Sequence, residues 1–183
     1  MFWDLKKDEA FDKRGGMLNE QDYQAVKHQL GRSPRGAKRV VCYGKAKGEP
    51  QVIEVHPLVE GKPFPSLFWL TCPRLHKAIA KIEQTAWIKH LENTLIPEDP
   101  KLKEQLRKDH LRYQELRWTK LSEEEKNSVS NAPYLESLRT TGIGGVRDFS
   151  RVRCLHMHYA HHLAEKNVIG ELMDQEFQTY LYL

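Results

Sequence analysis

The chain has 183 residues, of which 30% are charged and 39% hydrophobic, with a formal net charge of +4. That length suits one domain rather than two with separate cores, and the composition excludes collagen-like and broadly disordered classes. No run approaches the roughly 18 apolar residues of a membrane span, the charged N-terminus lacks the apolar centre of a secretory signal, and three cysteines make no disulfide framework, so a cytoplasmic protein without a membrane role is expected.

Residues 1–18 lack periodicity and read as a mobile lead-in, leaving 19–183 as a single domain. Asn19 suits the N-cap of a helix reaching Leu30, with Glu20 and Asp22 in the first turn, where they complement the dipole, and Gly31 as the stop. A turn over 32–36 leads into β-like runs at 39–43 and 51–55, joined by a Gly/Lys connector suited to a hairpin. A third run, 66–71, is apolar enough to be buried on both faces and is bracketed by Pro65 and Pro73. Between 30 and 48 lie Arg32, Arg35, Lys38, Arg39, Lys45 and Lys47 with no acidic residue. Such a stretch attracts an anionic small molecule, nucleic acid or an acidic protein, although lysines on a sheet edge also serve simply to discourage aggregation.

From Pro73 the pattern turns helical. Leu75, Ile79 and Ile82 form one stripe, Trp87, Ile88 and Leu91 a second, and Pro97 and Pro100 are expected to break the chain before a helix over 101–121. Ser122 and the three glutamates after it suit the start of a shorter helix, 128–147 reads as loop-rich around Gly142-Ile143-Gly144-Gly145, and two helices are expected over 151–165 and 170–181. The fold class expected is α+β: a small, mostly antiparallel sheet from the N-terminal half, packed by C-terminal helices.

Cys154, His156, His158, His161 and His162 crowd one short stretch, and thiolate and imidazole are the ligands that zinc and several other transition metals prefer. On an ideal helix Cys154, His158 and His161 fall within about 60° of one another. His156 lies about 200° from Cys154 and joins it only if the helix starts later. The stretch therefore reads as a metal site, as a helix whose histidines cap and hydrogen-bond, or as a reactive Cys154 with a histidine partner. Cys72 sits where a strand hands over to a helix, a place that favours its thiolate, or it is a small buried hydrophobe. His110, Tyr113 and Arg117 share a helix face with Leu102 and Leu106, either as groups holding an anion in a cavity or as a structural polar network.

Several short motifs occur in an order that resembles the bacterial domain of unknown function 501 family. They are Leu30-Gly31-Arg32-Ser33-Pro34-Arg35-Gly36, Gly48-Glu49-Pro50, Lys62-Pro63-Phe64-Pro65, Phe68-Trp69-Leu70-Thr71-Cys72-Pro73, His110-x-x-Tyr113-x-x-x-Arg117, Gly142 to Gly145, Arg153-Cys154-Leu155-His156, Ala160-His161 and Asn167-x-x-Gly170. The resemblance implies no known activity. It places Cys72, Cys154, His156 and His161 on motif positions, while His158 and His162 fall outside them. Where relatives carry a cysteine shortly before the Gly-x-Pro step, this chain has Lys45-Ala46-Lys47, and Cys42 is displaced.

Combining both readings, the expected protein binds a metal, zinc or another transition metal, through Cys72, Cys154, His156 and His161. If one coordination position stays open, it is a hydrolase in which Arg32, Arg35, His110, Tyr113 and Arg117 hold an anionic substrate. The competing expectation is an RNA- or acidic-protein-binding module with a structural Cys/His cluster.

Overall fold

A computed structural model describes residues 18–44 and 48–182. The expected lead-in therefore lies outside the described residues apart from Leu18, as does the 45–47 connector. Helix α1 (Glu20–Leu30) begins where the Asn19 side chain accepts the Asp22 N–H at 2.8 Å and ends at Gly31, whose φ of 65° a glycine adopts without strain. Strands β1 (Ala37–Tyr43) and β2 (Pro50–Val55) are antiparallel. After a minimal pair, β3 (Leu58–Val59) with β4 (Lys62–Pro63), strand β5 (Phe68–Leu70) adds to β2, giving a three-stranded antiparallel sheet in the order β1-β2-β5.

Alternation along the strands divides the interior in two. Val52, Phe68 and Leu70 face the main core with Leu75, Leu106, Leu155 and Tyr159. Ile53, Val55 and the half-buried Trp69 face the other way, where Val26 of α1 covers them. The central strand β2 is buried along its whole length, as a strand covered on both faces must be.

Helix α2 (Pro73–Glu83) points Leu75, Ile79 and Ile82 inward. Helix α3 (Trp87–His90) runs through a π-helical turn, Leu91–Leu95, into α4 (Ile96–Glu98). Pro97, expected to break the chain, is absorbed because the wider turn before it relieves the clash a proline ring makes with the carbonyl four residues back. The break comes at Asp99, whose carboxylate caps α5 (Pro100–Thr119). Helix α6 (Glu123–Ser128) opens with a reciprocal Ser122/Glu125 capping box, and α7 (Leu135–Thr140) adds a helix inside the stretch expected to be mostly loop.

The two closing helices are α8 (Leu155–Glu165) and α9 (Val168–Phe177). Helix α8 starts four residues later than expected because Cys154 is extended, with φ −149° and ψ 116°. Helix α9 starts earlier because Asn167 caps it through the Gly170 N–H at 2.8 Å. No helix among the described residues is long and apolar enough to cross a membrane.

Helices α8 and α9 pack so closely that a Cβ on Gly170 would overlap the Cβ of His162. Neither helix can yield locally, since Asn167 ties the turn between them to both. Gly170→Ala is expected to cost roughly 1–3 kcal/mol through overpacking, read as a lower urea midpoint at unchanged slope; a variant as stable as the parent would contradict this packing.

Candidate functional site

The extended residues before α8 are held by two carboxylates. Glu92 accepts the Val152 N–H at 2.7 Å, and Glu83, the last residue of α2, accepts the Leu155 N–H at 2.6 Å. Helix α8 can therefore begin at Leu155, which resolves the angular conflict between Cys154 and His156. With Cys154 outside the helix, ligand atoms of Glu83, Cys154 and His156 all lie within 4.8 Å of one another. All three residues are half-buried.

His156 lies over α2. Its Nδ1 is 3.1 Å from a Glu83 oxygen and its Nε2 is 3.1 Å from the His76 backbone carbonyl. Both neighbours accept hydrogen bonds, so satisfying both takes two ring N–H groups. Burial raises the Cys154 thiol above its ordinary range, and the Glu83 carboxylate adds to this against the opposing pull of the Met157 and His156 backbone N–H groups. Burial also lowers His76, whose ring centroid is 4.2 Å from that of His156.

The other expected ligands stand elsewhere. Cys72 is buried in the main core at the N-terminus of α2, and among the described residues it joins no such ligand group. His161 points into the interior, stacked on Phe68 and edge-on to Tyr113. The Asn167 amide is oriented by two backbone partners: its oxygen accepts from Gly170 and its nitrogen donates to the His158 carbonyl. That nitrogen also donates to His161 Nδ1 at 3.1 Å, so the ring proton sits on Nε2. Neither nitrogen of His161 then has a lone pair free for a metal.

The same reasoning applies to His110. Its Nδ1 accepts the Ile143 N–H at 3.0 Å, an approach open only because residue 142 is glycine: a Cβ there would collide with Nδ1. Nε2 of His110, Nε2 of His161 and both ring nitrogens of His158 are buried without a hydrogen-bond partner among the described residues. Burial pushes His110 down to about 4, against Asp148 and the Arg151 backbone, which approaches the ring without reaching hydrogen-bond geometry. Burial likewise pushes His161 down to about 3 and His158 well below its ordinary value.

The expected anion-holding groups are engaged structurally or lie on another face. Tyr113 accepts the Leu67 N–H at 2.7 Å. Arg117 is fully buried and donates to the backbone carbonyls of Leu138, Pro65 and Thr141. Arg32 is exposed, its guanidinium 4.8 Å over the Trp69 ring on the α1 side of the sheet, and Arg35 is exposed on the same α1–β1 turn. These contacts support a polar network around Tyr113 and Arg117 rather than a cavity.

Sequence patterning does not point to Glu83, and it carries Asn167 only as part of a motif. A signal for Glu83 exists, because an acidic residue ending a helix opposes the dipole and needs a partner elsewhere. Asn167 stands just before an apolar helical run, the ordinary place for a cap.

His110 and His161 are neutral in the fold at values below those of an unfolded chain, so unfolding at acidic pH takes up protons. Stability is expected to be full above about pH 6.5 and to fall toward pH 4, by roughly 3 kcal/mol for His110 alone. Nitrogen-15 NMR should show both rings as the neutral Nε2–H form at pH 6; an Nδ1–H form would contradict the hydrogen bonds from Ile143 and Asn167.

Residues 41–175, most of the chain, match the family model described as protein of unknown function (DUF501). No curated protein and no solved structure matches the chain. The motifs around Cys72, His110, Cys154, His161 and Asn167 all lie inside the matched span, and the chain belongs to the DUF501 family.

Proposed function

We propose that the protein binds a divalent transition metal, zinc first among them, through Glu83, Cys154 and His156. The observation carrying this reading is that one oxygen, one sulfur and one imidazole nitrogen come within 4.8 Å of one another at the start of α8. The set is chemically suited to zinc, which takes carboxylate, thiolate and imidazole together. The contact between His156 Nε2 and the His76 carbonyl supports it further, since a ligating histidine ordinarily donates its second N–H to a carbonyl or carboxylate. The two oxygens of Glu83 divide their roles, one capping Leu155 and the other facing His156.

Three protein ligands at a half-buried site leave a coordination position open. An ion held there would lower the pKa of a bound water, which is the basis for extending the reading to a hydrolase. The raised Cys154 thiol argues against the alternative in which that residue is a free thiolate nucleophile.

Elemental analysis and competitive zinc titration test the proposal. Wild-type protein is expected to retain about one equivalent of zinc, with affinity falling at least tenfold in Cys154→Ser and His156→Ala and unchanged in Cys72→Ala. A folded wild type that takes up no zinc would reduce the three residues to a helix cap with an ion pair. Equal loss in Cys72→Ala would restore the core cysteine as a ligand.

A second reading draws on Arg32 stacked over Trp69 beside the exposed Arg35 and Lys38. Exposed guanidinium groups beside a half-buried aromatic ring suit single-stranded RNA. On this reading a short RNA oligonucleotide binds with an affinity that falls steeply with salt and drops in Arg32→Ala. Salt-independent or absent binding would remove it.

A further inference from the structure

Resting on the metal centre proposed above, we infer its substrate class: the adjoining cleft, walled by Arg147, Arg151 and Arg153, binds a small molecule carrying a phosphate group. The cleft measures about 490 Å³ and is also bordered by Ile88, Val146 and Val152. That volume lies within the range of small-molecule sites, and its walls combine apolar surface with guanidinium groups.

The charges in the cleft are unequal in their freedom. Glu92, on the π-helical turn, is occupied by the Val152 N–H and stands 3.5 Å from Arg151. Asp148 accepts the Ser150 N–H and hydroxyl at 2.9 and 2.7 Å, and Ser150 and Arg151 both favour its ionised form. The two carboxylates are thus engaged with Arg151 and the local backbone. Arg147 and Arg153 are exposed, and among the described residues neither forms an ion pair or donates a side-chain hydrogen bond.

Two free guanidiniums on one concave wall match a dianion better than a monovalent carboxylate, and each presents the planar fork that binds phosphate oxygens in pairs. The position is equally specific. Arg153 directly precedes Cys154, and the extended path from Val152 to Leu155 spans at most about 10 Å. Glu92 fixes the cleft end of that path and Glu83 the metal-cluster end. The cleft and the Glu83–Cys154–His156 group are therefore joined by one short extended segment, Arg153 lining the cleft and Cys154, the next residue, belonging to the group. Arg32, Arg35 and Arg117 have no such proximity in sequence or in the packing described above.

The test is calorimetric titration of inorganic phosphate into the full chain at low ionic strength, metal-free and zinc-loaded, for wild type, Arg147→Gln/Arg153→Gln and the surface control Arg107→Gln. Saturable binding that weakens at least tenfold in the double variant and is unchanged in the control supports the cleft. No saturable binding, or equal affinity in the double variant, overturns it. Both arginines are exposed, so the variants are expected to fold, and an unchanged urea midpoint confirms it. Zinc measured on the same samples separates the two claims. Phosphate held through Arg147 and Arg153 by protein that takes no zinc supports the cleft while refuting the metal centre; zinc held without phosphate does the reverse.

Discussion

Glu83 and Glu92 receive the backbone N–H groups of Leu155 and Val152, and the start of α8 depends on those two contacts. A helix that began at Arg151 would put Cys154 and His156 on opposite sides. With both carboxylates in place the chain stays extended through Cys154 and turns helical only afterwards. The three ligand-bearing side chains can then meet, and Arg153 is left on the cleft side of the same extended segment. A single local decision, extended or helical, thus sets the geometry of both proposed sites.

The helix that follows separates its histidines by environment. His156, in the first turn, is half-buried and has acceptors at both nitrogens. His158 and His161, one turn apart, face His110 and Tyr113 of α5 in the interior. There the imidazoles are neutral, and His161 has its only accepting nitrogen taken by Asn167. Asn167 also caps α9 and holds the His158 carbonyl, so one amide sets a helix start, a turn and a tautomer together. His158, likewise neutral, keeps a ring lone pair with no partner among the described residues, buried in the interior beside His110.

What was legible in the sequence was what short-range physics determines. Asn19 and Ser122 cap the helices they precede because a cap needs only the next three residues. The apolar run before Pro73 revealed a strand, although its second face is only half-buried at Trp69, and the switch to helical spacing after Pro73 pointed to the α+β architecture. The site was less legible because its contacts are distant. Glu83 meets a backbone group 72 positions away, and nothing near it in the chain announces that partner. Pro97 misled for the opposite reason, since its local rule was overridden by a π-helical turn immediately before it. Arg117 could be placed on the right helix face, but its engagement by three backbone carbonyls follows from how α7 and the Pro65 segment pack against it.

At the proposed centre the Cys154 thiol holds a proton where a cation would sit. In the metal-free protein the Cys154 thiol retains its hydrogen under the influence of burial and of Glu83. His156 faces an acceptor at each ring nitrogen. A divalent ion placed among the three would displace the sulfur proton and come between Nδ1 and Glu83, while leaving the Nε2 contact to His76 and the Glu83 cap of Leu155 intact. The cost of assembling ligands is thereby reduced, because the fold has already fixed the helix start and the imidazole plane. The remaining competition is between proton and metal for the sulfur, so on the proposed reading affinity rises with pH as the thiol ionises.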